Sequence, residues 1–263
     1  LTTGHSFSRK VIVSVPSPKP LPEKDAQALL ARLRREGVLR SAASVGMDGG
    51  RGFLPTGVEP LDRALGGGLP RGRIVEVVGR VSSGRTAFLF LVLASATSRG
   101  EQTVLIDPED GFDPAAAALA GVRLERVLWI RPSRSLDAFR AADLVLDAGG
   151  FGLVAIDARR ATRDARRASP WPRLSLRAER AGSVLLVSSE RPEVGTFAAT
   201  VLGLRRNAAG WAGPSTSLRA GPSPLLLERL DVRIDVLRSK VGGVAGPVRW
   251  ASSSARRRST DAA

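Results

Sequence analysis

Five short apolar runs, Ile74–Val78, Thr103–Ile106, Val127–Ile130, Leu153–Ile156 and Val184–Val187, recur along the middle of the chain. They are rich in aliphatic and β-branched side chains and lack the in–out alternation of a half-exposed strand, which is the pattern of strands buried on both faces. Ala87–Ser98 follows the first run, unbroken by Gly or Pro and of helical length, and helical segments separate most of the other runs. This alternation predicts an α/β class, with a mostly parallel twisted sheet flanked by helices. Farther on, Leu230, Val232, Ile234 and Val236 alternate with Asp231, Arg233 and Asp235. That period of two predicts a half-exposed strand, so the sheet is expected to end in antiparallel strands.

Upstream, Ala26, Leu29, Leu30 and Leu33 recur at helical spacing within Glu23–Arg35, with acids early and arginines late, as the helix dipole prefers. Before this amphipathic helix, the run Val11–Val15 and the prolines at 16, 18, 20 and 22 read as an extended arm. Met47–Gly52 is a glycine-rich linker, Ala212–Pro224 is a Gly/Pro/Ser loop, and the C-terminus is short, polar and arginine-rich. The expected division is an arm with its helix at 1–50, a core at 51–250 and a basic disordered tail at 251–263.

Composition narrows the chemistry. The 263 residues carry 40 Lys and Arg against 25 Asp and Glu, a net charge of +15. Such an excess favours an anionic partner such as nucleic acid or phosphate, although an arginine-, alanine- and glycine-rich composition is also what a GC-rich genome produces. With no cysteine and one histidine, thiolate metal sites, disulfides and histidine-based triads are excluded or remote. No apolar run approaches the roughly 20 residues of a membrane helix, and the first residues lack a secretory pattern, so the expected location is the cytoplasm, away from membranes.

Between the first strand and the first core helix stands Gly79-Arg-Val-Ser-Ser-Gly84-Arg85-Thr86, with the spacing and setting of a phosphate-binding loop. Glycines let the backbone wrap around phosphates, the helix N-terminus adds its positive end, and a threonine hydroxyl is a ligand for Mg²⁺. The preceding run from Pro55 to Gly79 closely resembles the corresponding segment of bacterial RecA recombinases. The likeness continues through Ile106-Asp-Pro-Glu109 with Asp113-Pro114, through the strand ending in Asp157, and through Val236-Leu-Arg238-Ser-Lys240-Val.

This resemblance, covering roughly residues 50 to 250, implies a RecA-like fold that binds ATP and Mg²⁺. It implies that Gly79, Ser82, Ser83, Gly84, Arg85, Thr86 and Asp113 hold the nucleotide, with Thr86 and Asp157 on the metal side. Glu109 matches the glutamate that activates the attacking water. Arg238 and Lys240 match a basic pair that reaches a neighbouring protomer's nucleotide, which brings self-association among the expected contacts; a solvated strand edge is the other reading of that pair. Arg159, Arg160, Arg163, Arg166 and Arg167 follow Asp157 at spacings that would gather them on one helical face. They are candidates for sequence-independent contact with single-stranded DNA, or form a solvated charged face. Trp171 would stack on a base or pack beneath the loop. The Glu23–Arg35 helix would dock on a neighbour, or pack on its own core.

The chain also departs from the family. Arg85 stands where the loop's lysine belongs, Ala116 where a tyrosine covers adenine, and Ser189-Glu190 where an Asn-Gln pair senses nucleotide. Only Arg191–Thr196 then separate Glu190 from Phe197–Arg206, which resembles the family's next strand, so the long DNA-binding loop is nearly absent. Shortened chains of this plan resemble ImuA-type proteins, which accompany error-prone polymerases in damage-induced mutagenesis. That likeness implies a DNA-repair accessory factor of the SOS response that contacts DNA and a recombinase or translesion polymerase. The alternative is an ATP-hydrolysing, filament-forming recombinase. Cell-division inhibitors with a reduced RecA-like fold, a third reading, usually lack the phosphate loop.

Overall fold

A computed structural model describes residues 23–35, 52–132, 135–158, 169–212, 226–241 and 246–253. The Val11–Val15 arm, most of the Met47–Gly52 linker, nearly all of the Ala212–Pro224 loop and the arginines at 159–167 lie outside the described residues.

The chain begins with α1 (Glu23–Arg35) and a small antiparallel pair, β1 (Phe53–Leu54) and β2 (Leu69–Pro70), which bracket α2 (Glu59–Ala64). Alternation then sets in: β3 (Ile74–Val78), α3 (Arg85–Ser98), β4 (Thr103–Ile106), α4 (Pro114–Leu119), β5 (Val127–Ile130), α5 (Ser135–Ala148), β6 (Leu153–Asp157), α6 (Trp171–Ala181) and β7 (Val184–Ser189). Three strands close the chain: β8 (Ala198–Ala212), β9 (Leu226–Ser239) and β10 (Val248–Ser253). The eight-stranded sheet runs in the order β10-β9-β8-β3-β7-β6-β4-β5. From β8 through β5 neighbouring strands are parallel, whereas β9 and β10 pair antiparallel.

Four of the five apolar runs have the burial they implied; β5, at the edge of the sheet, is buried only at Val127. All of β3, β4 and β7 is buried, and alternate residues feed two cores. Val75, Val77, Leu105, Leu153, Ala155 and Leu186 join Phe88, Val92 and Leu93 of α3 on one face. Ile74, Val78, Val104, Ile156 and Val187 join Phe139 of α5 and Leu174 of α6 on the other. Leu30 of α1 is buried in that second core and α1 lies against α5, so the helix packs on its own chain. The strand β10 runs to Ser253, three residues past the expected core boundary at 250.

One buried ion pair ties the entrance of β3 to the helix–strand junction after α3. Arg71 Nη2 and Nη1 donate to Glu101 Oε1 and Oε2 at 2.7 and 3.1 Å, a two-pronged contact shielded from solvent on both sides. Removing one member leaves the other charge buried without its counter-ion, so Glu101→Ala is expected to cost about 3 kcal/mol in chemical denaturation. The double variant Arg71→Met with Glu101→Leu should recover much of that loss.

Candidate nucleotide site

The phosphate loop sits where a buried parallel sheet must release its chain, at the C-terminal end of a central strand. The β3 strand ends at Val78, Gly79 N–H donates back to the Ser189 carbonyl of β7, and α3 begins at Arg85. The turn needs its glycines. A Cβ on Gly79 would lie 2.4 Å from Ser83 Oγ and 2.7 Å from the Leu204 carbonyl oxygen. Gly84 caps α3 with φ near +98°, and a Cβ there would fall 2.5 Å from Val232 Cγ2. Ser82 also has positive φ, at 61°. Alternating left- and right-handed residues curl a backbone so that its N–H groups converge, which is the concavity that holds an anion. Ser83 is buried with no partner for Oγ among the described residues, while Val81, Ser82 and Thr86 face solvent. The loop and the N-terminus of α3 thus fit a phosphate group.

Arg85, in the lysine position, is only 8% exposed, and its Nη1 donates to Ser188 Oγ at 3.2 Å. Ser188 is the register partner of Val77 on one side and of Asp157 on the other. Neighbouring strands lie about 4.8 Å apart and register partners point to the same face, so Asp157 stands beside Ser188 on the α3 side of the sheet. Asp157, 6% exposed, is therefore brought to the guanidinium's neighbourhood. Glu109 lies in the turn after β4, also at the C-terminal end of the parallel strands, and is exposed.

Other expected residues are placed differently. Asp113 N-caps α4, its Oδ1 accepting from Ala115 and Ala116 N–H at 2.9 and 3.2 Å. Ala116 packs against the first core. Trp171 is buried at the start of α6, edge-on to Phe139 with centroids 5.2 Å apart, so it packs within the fold. Arg238 lies near the far end of β9 and Lys240 just past it, Arg238 level with Val201 and hence with Glu76 of β3. At about 3.3 Å per residue, Lys240 is roughly 15 Å along the sheet from Gly79, so the pair does not reach this chain's own loop along the strands. Instead, Arg238 Nη2 donates to the Gly195 carbonyl and Lys240 Nζ to that of Thr196.

Glu76 was missed by sequence reasoning, although an acid in the middle of an otherwise apolar strand was the signal. Residues 190–197 connect β7 to β8, both neighbours of β3, and so cross the face of β3. Backbone laid across a buried strand brings N–H groups that need acceptors. Glu76, 0% exposed, supplies one: its Oε1 accepts from Glu193 and Val194 N–H at 2.5 and 3.0 Å. Asp107 does similar work at the end of β4, taking Phe112 N–H at 2.8 Å.

Known proteins resemble the chain in sequence and in fold. The family model of the RecA N-terminal domain matches residues 47–165. Protein RecA of Methylococcus capsulatus is 43% identical over 105 residues, and that of Clavibacter michiganensis 38% identical over 138. Over these stretches the chain is RecA-like in sequence. Its matched stretches cover 40% and 51% of this chain but only 30% and 38% of those two RecA proteins. In fold, this RecA-like chain is similar to a crystal structure of the RadB recombinase, with a TM-score of 0.58 and 18% identity over 77% of this chain and 97% of that one. Among the described residues no helix is long and apolar enough to cross a membrane.

Burial raises the Glu76 pKa above its ordinary 4.5, opposed by the N–H groups of Glu193 and Val194 and by the charge of Arg238. A raised acid pKa means that stability from this group is complete below 4.5 and declines as pH climbs through the folded-state value. In Glu76→Gln the amide oxygen can still accept both N–H groups, but nothing ionises. The melting temperature of Glu76→Gln relative to wild type should accordingly become more favourable from pH 4.5 upward. Glu76→Leu, which strips the acceptor, should cost about 1–3 kcal/mol for each N–H left bare.

Proposed function

We propose that this RecA-like chain is an ATP-binding accessory factor of DNA repair, acting in damage-induced translesion mutagenesis through contacts with DNA and with a recombinase or translesion polymerase. One observation carries the reading. The phosphate loop keeps its anion-binding form while the connection after β7 is reduced to residues 190–197 and fastened onto β3 by Glu76. A chain that keeps nucleotide recognition but closes the place of the long DNA-binding loop is suited to partner binding more than to strand exchange.

In this reading Gly79, Ser82, Ser83, Gly84 and Thr86 take the phosphates through converging N–H groups and hydroxyls, with Arg85 as the cation behind them. ATP supplies the phosphoryl chemistry and a ligand whose binding stabilises the loop. Glu109 is the candidate at the same edge of the sheet to orient a water, and Arg238 and Lys240 would exchange their contacts with the Gly195 and Thr196 carbonyls to reach a neighbouring protomer. Asp113, already engaged at the α4 cap, would act through the placement of that helix. Arg159, Arg160, Arg163, Arg166 and Arg167 supply positive charge for single-stranded DNA phosphates, with affinity falling steeply as salt rises. A location in the cytoplasm accords with these partners.

The alternative, an ATP-hydrolysing recombinase, is favoured by the retention of Glu109, Asp157, Arg238 and Lys240. The two separate in a turnover assay with single-stranded DNA, coupled to a binding assay with a purified RecA recombinase and a translesion polymerase. The accessory reading expects retained partner binding and no DNA-stimulated turnover. Turnover that rises with DNA and disappears in Glu109→Gln would overturn it in favour of the recombinase.

A further inference from the structure

Arg85 is the feature that the family resemblance does not absorb. Its guanidinium is permanently charged and is drawn below the loop, to Ser188 on the β7 edge. Ser188 provides a hydrogen bond but no charge. It is also the strand neighbour of Asp157, on the same face. Any metal bridging a bound phosphate to Asp157 would have to lie between the loop and that carboxylate. The Arg85 guanidinium, bonded to the strand neighbour of Asp157, and the positive end of α3 both bear on that side of the loop.

Mg²⁺ fits such a setting poorly. It requires near-octahedral oxygen ligands at about 2.0–2.1 Å, keeps several waters, and leans on carboxylates to offset its charge. Here Asp157 stands, by strand register, beside the serine that holds the guanidinium, and Glu109 is exposed in a separate turn. Guanidinium, by contrast, is a planar fork that matches phosphate oxygens two at a time.

We propose that this chain binds nucleoside di- or triphosphate without a divalent cation, with Arg85, held by Ser188, supplying the counter-charge that Mg²⁺ and the loop lysine would otherwise share. The inference rests on the nucleotide reading of the same site and specifies the form of ligand it takes: the metal-free polyphosphate. The phosphate loop wraps the terminal phosphates, the α3 N-terminus faces them, and the guanidinium closes the site from the side of β7. Thr86 then serves as a hydroxyl donor to phosphate and Asp157 as an anchor for the guanidinium's surroundings.

Calorimetric titration of the full chain with ADP and with ATP, in excess Mg²⁺ and in EDTA, tests this directly. The wild type should bind in both conditions with dissociation constants within about threefold of one another. Arg85→Lys, which returns a compact ammonium and removes the fork held by Ser188, should become metal-dependent, weakening at least about tenfold on going from Mg²⁺ to EDTA. Ser188→Ala should weaken binding alike in both. Thermal melts of each variant establish that it is folded, and the wild-type comparison needs no variant. Wild-type binding that is lost in EDTA overturns the proposal and leaves the nucleotide reading standing. An Arg85→Lys chain as metal-indifferent as the wild type overturns the assignment to Arg85. Absence of binding in both conditions overturns the proposal together with the nucleotide reading.

Discussion

The fold depends on β3 being hydrogen-bonded along both edges and covered on both faces. Parallel pairing with β7 and β8 leaves no free edge, and all five residues are buried. A strand so enclosed cannot shift without disturbing its neighbours, so the point at which its chain emerges is fixed. That point is Gly79, tied to the Ser189 carbonyl. Preorganised N–H groups are worth more to an anion than ones that must be gathered on binding, because the ordering cost has been met in folding. Burial of β3 therefore both stabilises the domain and prepares its phosphate loop.

The same enclosure explains the polar residues that the core tolerates. The β7–β8 connection must pass over β3, and its N–H groups would be stranded without Glu76. On the opposite face, Arg85 reaches Ser188. The two contacts lie on either side of one sheet, within three strands, and both bear on the end of β7 or the segment that leaves it. Hydrogen bonding makes such groups tolerable in a low-dielectric interior, and it also makes their geometry specific.

Much of this was legible in the residue pattern. The five apolar runs coincide with β3, β4, β5, β6 and β7, because strands enclosed by helices on both faces are built mostly of apolar residues, while β5 at the sheet edge is buried only at Val127. The loop at 79–86 was legible because its spacing and its strand–helix setting are local. What escaped was set by topology. Nothing local in Ile74–Val78 says that a connection will cross its face, so the partners of Glu76 appear only once β7 and β8 are seen on either side of β3. Arg85 was recognisable as an unusual loop cation, but its bond to Ser188 spans more than a hundred positions and follows from strand order. Trp171 read as stacking or packing from its proline-flanked context, and Phe139 on α5 is what decides for packing.

Transmission from a nucleotide site to a distant surface needs an element with two stable arrangements that both ends can bias. In this chain the segment after β7 is held at successive points. Ser189 Oγ donates to the Arg191 carbonyl, Glu76 takes the N–H groups of Glu193 and Val194, and Arg238 and Lys240 hold the carbonyls of Gly195 and Thr196. Val194 is buried in the second core besides. Releasing the segment would mean exposing Val194 and breaking these contacts together, a cost that a single ligand's differential affinity must cover. A connection fastened in this way is better fitted to present a constant surface than to switch. Nucleotide at the loop would then act chiefly by stabilising the fold around β3, in proportion to its concentration over its dissociation constant.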